Sequence, residues 1–208
     1  MKRVLAVLLC VITVFTCCTI SVNAQATAVV SSNGEASGVT FYTVPNFKYC
    51  GQEKDNYCFC ACIQMILKRQ GGSIPSQGTI AFWSGTTFNG TNMTRALLYL
   101  NPKLPKNMRY QSYKCKSKDD MLMCIVADLL VEKPTIFLLR FSESDGFPGH
   151  TIGKNSHAVL LYGISEDAKY VRLADPALGF SGSSRTYYTV TTDALYKALV
   201  ASNLGLAY

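Results

Sequence analysis

Residues 51–72 read GQEKDNYCFCACIQMILKRQGG, and the fold turns on how this stretch is taken. From Tyr57 to Gln70 apolar side chains fall on almost every side of a 3.6-residue period, which predicts a mostly buried helix rather than one lying on a surface. Lys68 and Arg69 stand in its last turn, where the helix dipole favours cations, and Gly71-Gly72 supplies a stop. Cys58 falls at the amino-terminal end. Unpaired backbone N–H groups and the positive end of the dipole stabilise a thiolate there. Cys60 and Cys62, deeper in the same run, and Cys124 further on read as small apolar fillers.

Outward from this helix, a second is predicted from about Met93 to Leu100, closed by Asn101-Pro102. A third follows Ser117, which forms a capping box with Asp120 ahead of MLMCIVADLLVEK and ends at Pro134. After Pro134 the period becomes extended. Thr135–Phe141 (TIFLLRF) reads as a buried strand, and SHAVLLYGI (156–164) as a second one, joined through the short SEDAK turn to YVRLAD in an antiparallel hairpin. Thr186–Val190 adds a further strand, and Thr192 with Asp193 opens a final helix through Leu199. Helices come first and strands afterwards. That segregation predicts an α+β domain, a buried helix on an antiparallel sheet, rather than alternating βαβ units.

The first 24 residues read differently. Lys2 and Arg3 precede an apolar run from Val4 to Ile20, and Val22 and Ala24 stand at the −3 and −1 positions of a signal-peptide cut, so residues 1–24 are expected to be removed on export. An uncleaved anchor is the alternative, since the run is just long enough to span a bilayer. After cleavage no stable membrane span is expected, and the protein is expected to be secreted and extracellular. Residues 25–40 are small and polar, a flexible lead-in or short propeptide, which leaves 41–208 as one folded domain. The chain has 208 residues, with 49% hydrophobic and only 16% charged, which excludes a disordered chain or a long coiled coil. Loss of Lys2 and Arg3 lowers the net charge from +7 to +5. The remaining Lys and Arg are scattered singly, with no basic stretch interleaved with aromatics, so nucleic acid is not an expected partner.

A cysteine nucleophile needs a base, and the chain has only 2 histidines. His157 opens an apolar strand, whereas His150 lies among Gly149, Thr151 and Gly153 in a loop. A strand holds an imidazole in one orientation better, so His157 is the expected base and His150 the runner-up. Asp175 ends the next strand of the same hairpin, where it can accept the second ring N–H and fix the tautomer; a plain turn-forming role before Pro176 is the alternative. Gln52, six residues before Cys58, can donate its carboxamide beside the Cys58 N–H to form an oxyanion hole.

The stretch from Gln52 through Cys58-Phe59-Cys60-Ala61-Cys62 to Leu67, then SHAVLLYGI, then ADPALG (174–179), resembles the papain-like cysteine peptidases of the bacteriocin-leader-processing type. In that family a Gln six residues before the nucleophilic Cys supplies the oxyanion hole, a His begins HxVVxYG, and an Asp in a DP-x-x-G turn orients the His. The resemblance implies those roles for Gln52, Cys58, His157 and Asp175, a papain-like fold over about residues 45–200, and a secreted cysteine peptidase. Peptides or proteins would be its substrates, and it would need no cofactor. The family usually has Gly-Pro where this chain has Phe59-Cys60, and Phe59 is expected to narrow the cleft or to mark a binding relative without activity. A cell-wall peptide amidase would use the same triad. Transporter-linked members cut after Gly-Gly, a preference not carried over, and Gly71-Gly72 is read as a helix stop rather than a self-cleavage site.

Cys58, Cys60 and Cys62 also invite a metal reading. A C-x-C-x-C run on a helix points successive thiols to different sides, unlike the paired knuckles of zinc sites, so no metal site is expected. Of 9 cysteines, Cys10, Cys17 and Cys18 lie in the export segment. If Cys58 is free, at most two disulfides can form among the rest, and Cys115 with Cys124 is one conceivable pair. Trp83, Tyr162 and Phe180 are the aromatic candidates for a substrate groove, and Asn89 and Asn92 begin glycosylation sequons.

Overall fold

The structure, a computed structural model, describes residues 38–71, 73–147, 149–150, 156–180 and 183–208. Residues 1–24, expected to be an export signal, most of the 25–40 stretch, and Gly72 lie outside the described residues.

Helix α1 is Cys58–Gln70, and its residues from Phe59 to Leu67 are all buried. Gly71 closes it in the left-handed region at φ 74°, which glycine adopts without a Cβ clash. Around it pack α2 (Gln77–Trp83), capped by the Ser76 hydroxyl, and α3 (Met93–Leu100), capped by the Asn92 carboxamide. Helix α4 is Lys118–Leu130; the Ser117 side chain accepts from Asp120 N as the sequence predicts, but the Asp120 carboxylate turns to Lys116 N and the Tyr113 hydroxyl. Helix α5 spans Thr192–Ser202, capped by Thr191.

Seven strands form one sheet: β1 (Phe41–Thr43), β2 (Ser112–Tyr113), β3 (Thr135–Leu139), β4 (His157–Ser165), β5 (Tyr170–Ala174), β6 (Tyr187–Thr191) and β7 (Leu206–Ala207). The main order is β2-β7-β3-β4-β5-β6, and every pairing is antiparallel. Strand β3 pairs with the first part of β4, from His157 to Leu161, and β1 with the last, from Gly163 to Ser165. The β4–β5 register shifts between Leu161 and Gly163. A Cβ built on Gly163 would lie 2.8 Å from Thr43 Cγ2 and 3.1 Å from Tyr42 O, so this glycine lets β1 approach.

Alternation along the central strands divides the core in two. Ile136, Leu138, Ala158 and Leu160 join the core built on α1, α2 and α3. Phe137, Leu139, Val159 and Leu161 join a second core with α4 and α5. With helices against both faces, TIFLL and HAVLLYGI read as continuous apolar runs rather than as alternating ones.

The α+β class and the buried helix on an antiparallel sheet are as the sequence predicts. The segregation is less strict than the order of elements suggests, because α4 and α5 cover the second face. Three short elements, α2, β2 and β7, carry too few residues for a period to register. No helix among the described residues is long and apolar enough to cross a membrane.

Candidate active site

The structure brings Cys58, His157 and Asp175 together from three elements. Cys58 is the first residue of α1 and is half-buried. His157 is the first residue of β4, and Asp175 directly follows β5. The His157 ring donates from Nε2 to Asp175 Oδ1 at 2.6 Å, and the ring is also hydrogen-bonded to the Cys58 thiol. With Nε2 taken by the carboxylate, Nδ1 is the nitrogen left for the sulfur.

Electrostatics follow from this chain of contacts. Burial alone would push the Cys58 thiol up, but the hydrogen bond and charge of His157, with the N–H groups of Ala158 and Phe59, outweigh it and hold the thiol below its ordinary value. Burial would lower His157, yet the Asp175 charge and hydrogen bond, assisted by Cys58, raise it to about 10. Burial likewise opposes the Asp175 charge, and His157, His150 and the Ala177 N–H together keep it well below the usual carboxylate range. The arrangement therefore favours an imidazolium beside an anion-prone sulfur at neutral pH. The Cys58 N–H is a first-turn donor that an α-helix leaves without an intrahelical carbonyl.

Asp175 is fully buried and heavily supported. Ala177 N donates to Oδ1 at 2.8 Å, closing an Asx turn, and the Ser183 hydroxyl donates to Oδ2 at 3.2 Å. Its backbone is fixed as well: Asp175 N donates to Thr186 O, and the Tyr49 hydroxyl to Asp175 O.

Gln52 is pinned to the same turn, its backbone N donating to Pro176 O at 2.7 Å. Its side chain departs from the expected arrangement. Nε2 donates to Lys54 O at 2.9 Å and Asp55 O at 3.1 Å, while the buried Oε1 has no partner among the described residues. The loop ahead of α1, which folds back on its own residues 54 and 55, draws the carboxamide to these carbonyls. Behind it Gln77 donates to Gly51 O and accepts from Glu53 N, bracing the loop from α2.

Two sequence expectations are corrected. Phe59 is 1% exposed and belongs to the core around α1. One residue along a helix is a turn of about 100°, so its ring points into the interior and does not narrow the cleft. His150, expected in an open loop, is fully buried and bridges to Ser183 as an isolated β-pair. Its Nδ1 lies 3.2 Å from Asp175 Oδ2 and 3.1 Å from the Tyr188 hydroxyl. Sequence reasoning ranked it only as a rival base; its glycine-rich surroundings masked a buried position that depends on a distant partner.

Cys50, Cys58, Cys60, Cys62, Cys115 and Cys124 are all free thiols, with Cys115 and Cys124 in side-chain contact but unbridged. No group of three or more His, Cys, Asp and Glu with metal-binding geometry occurs among the described residues. Of the aromatic candidates, Trp83 is exposed and lines a surface groove of about 630 Å³ with Pro75, Thr79, Arg95, Leu98 and Tyr99. Tyr162 stacks on Phe47 at 4.9 Å, and Phe180 is partly buried beyond the Asp175 turn.

Residues 44–202 match the Peptidase_C39 like family. Among solved structures, the peptidase domain of Streptococcus ComA, a bifunctional ABC transporter involved in a quorum-sensing pathway, superposes with a TM-score of 0.52 at 16% identity, covering 77% of this chain and 95% of that one. A Bacillus anthracis protein described as a C39-like peptidase gives 0.54 at 17%, covering 79% and 94%. A double-glycine-motif protease of an AMS/PCAT transporter, solved with its leader peptide, gives 0.51 at 15%, covering 77% and 87%. At such identities the likeness is one of fold. No curated protein sequence matches the chain. The family match over most of the chain carries the assignment: this chain belongs to the Peptidase_C39 like family and is a cysteine peptidase of that fold.

Proposed function

We propose that the chain hydrolyses peptide bonds by acyl transfer. Cys58 attacks the scissile carbonyl, His157 carries the proton to the leaving amine, and Asp175 holds the imidazole in one tautomer and supports its charge. The observation that carries this reading is the continuous contact from Cys58 through His157 to Asp175, with the thiol held down and the imidazole held up. The Cys58 N–H is the first oxyanion donor. Gln52 is the second, sharing an N–H now directed to Lys54 O and Asp55 O once the tetrahedral oxygen forms. Replacing Cys58 by Ala should abolish peptide hydrolysis while leaving the fold intact by circular dichroism. Hydrolysis at the parent rate in that variant would sink the assignment.

The same reading includes export, supported by the basic and apolar pattern of residues 1–24. Sequencing the amino terminus of protein collected outside the cell should begin at Gln25. The alternative of a binding domain without activity drew on Phe59-Cys60 in place of Gly-Pro; both side chains are buried in the core around α1, which counts against an obstructed cleft.

A further inference from the structure

Asp175 has two carboxylate oxygens and only one serves His157. Oδ1 faces His157 Nε2 at 2.6 Å, while Oδ2 faces His150 Nδ1 at 3.2 Å and the Ser183 hydroxyl at 3.2 Å. We infer that His150 is a positioning residue for the proposed peptidase, which holds Asp175 by its second oxygen and so fixes the rotation that aims the first at His157. This rests on the reading of Cys58, His157 and Asp175 given above.

Two observations carry it independently. The first is the geometry of a buried network. His150 and Asp175 are fully buried, Ser183 and Tyr188 nearly so, and the Tyr188 hydroxyl lies 3.1 Å from His150 Nδ1 and 3.2 Å from the Ser183 hydroxyl. A carboxylate accepting on both oxygens from separate elements cannot rotate without breaking bonds on both, and burial makes each broken bond costly. The second is the other side of the ring. His150 Nε2 is buried with no partner among the described residues. The ring also lies 4.2 Å from Phe141, an environment that a phenyl group would fill without leaving a polar atom stranded. Packing alone does not call for ring nitrogens in this place, and a bond from Nδ1 does.

Among the described residues, the groups that face His150 are Asp175 after β5, Tyr188 on β6, Ser183 ahead of β6, His157 on β4 at a ring separation of 5.7 Å, and Phe141 after β3. The Tyr188 hydroxyl is pushed up to about 12 by burial and stays protonated as a donor. With Ser183 donating to Oδ2, the Nδ1–H of His150 completes that oxygen.

Two substitutions separate the bond from the ring. His150→Phe keeps the ring contact with Phe141 and removes the donor; His150→Asn loses the ring and keeps an N–H near the Nδ1 position. The readout is iodoacetamide labelling of Cys58, followed by mass mapping because other thiols are free, at pH 6 and pH 9, alongside kcat and KM on a peptide substrate. In His150→Phe the pH 6 to pH 9 labelling ratio should fall by about 10-fold or more, and kcat by about 10- to 100-fold with KM within about twofold, the scale of one lost charge-assisted hydrogen bond. His150→Asn should recover most of both. If His150→Phe fails to fold, Ser183→Ala, which removes the other Oδ2 donor, should lower the same ratio in a folded protein. An unchanged ratio in folded His150→Phe or Ser183→Ala, or an equal loss in folded His150→Phe and His150→Asn, would overturn the inference. Should the parent chain label normally yet hydrolyse nothing, the peptidase reading fails by itself and the labelling ratios still decide the role of His150.

Discussion

Cys58 and His157 titrate in opposite directions, and their joint effect on stability has a definite shape. His157, raised to about 10, contributes stability that is full below its unfolded value of about 6.5 and is lost as pH climbs toward 10. Cys58, lowered, contributes stability that is full above its unfolded value of about 8.5 and is lost as pH falls through its folded value. Between the folded value of Cys58 and about 8.5 the Cys58 slope offsets that of His157, so the parent's melting temperature should change less with pH there than above about 8.5, where it should decline. Cys58→Ala removes the offsetting slope. Its melting temperature should fall with rising pH from about 6.5, and a profile superimposable on the parent's would contradict the ion pair. These residues were legible because each role demands a residue type at a recognisable place: a thiol at a helix start, an imidazole at a strand start, a carboxylate at the open end of the paired strand. Phe59 was misjudged because nearness in sequence was taken for nearness in the cleft. As core, Phe59→Ala should destabilise by about 3–5 kcal/mol, read from urea unfolding.

At the scale of elements, the docking of β1 onto the end of β4 depends on Gly163, where any side chain meets Thr43 and the Tyr42 carbonyl. Gly163→Val should displace β1, seen as faster amide exchange at 41–43, while the β3–β4 ladder from His157 to Leu161 keeps its protection. The end of α4 holds a different device. Lys133 Nζ lies 2.9 Å from Asp128 Oδ1, both side chains nearly buried, with the cation 4.7 Å over the Tyr110 ring. Burial nevertheless raises Asp128 to about 6, against the pull of Lys133 and the Thr135 hydroxyl. Lys133→Met would strand the carboxylate and should destabilise by about 3–5 kcal/mol, more at pH 8 than at pH 5, where protonation relieves it. Sequence reading placed α1, α3 and α4 by their length and end signals, and the long strands as continuous apolar runs bounded by turns. Strands β2 and β7 have two residues each, and only their long-range partners define them.

Across the whole molecule, charge is unevenly laid out. Between Asp55 and Asp119 the chain has no carboxylate side chain but carries Lys68, Arg69, Arg95, Lys103, Lys106, Arg109, Lys114, Lys116 and Lys118. This is the part that builds α1, α2 and α3, and Arg95 and Lys103 line its surface groove. Such a field should raise kcat/KM for acidic peptides over basic ones of equal length at low salt, with the advantage fading toward about 1 M, where screening acts within about 3 Å.

The proposed reacting groups come from opposite layers: the thiol from α1, its imidazole and carboxylate from the sheet. During synthesis the thiol leaves the ribosome with the stretch around residue 58, long before residue 157 follows. Until β4 docks on α1, the His157 and Ala158 contacts that help hold that sulfur below its ordinary value are absent. On the proposed reading a growing polypeptide therefore carries a dormant nucleophile, armed by the completion of folding itself.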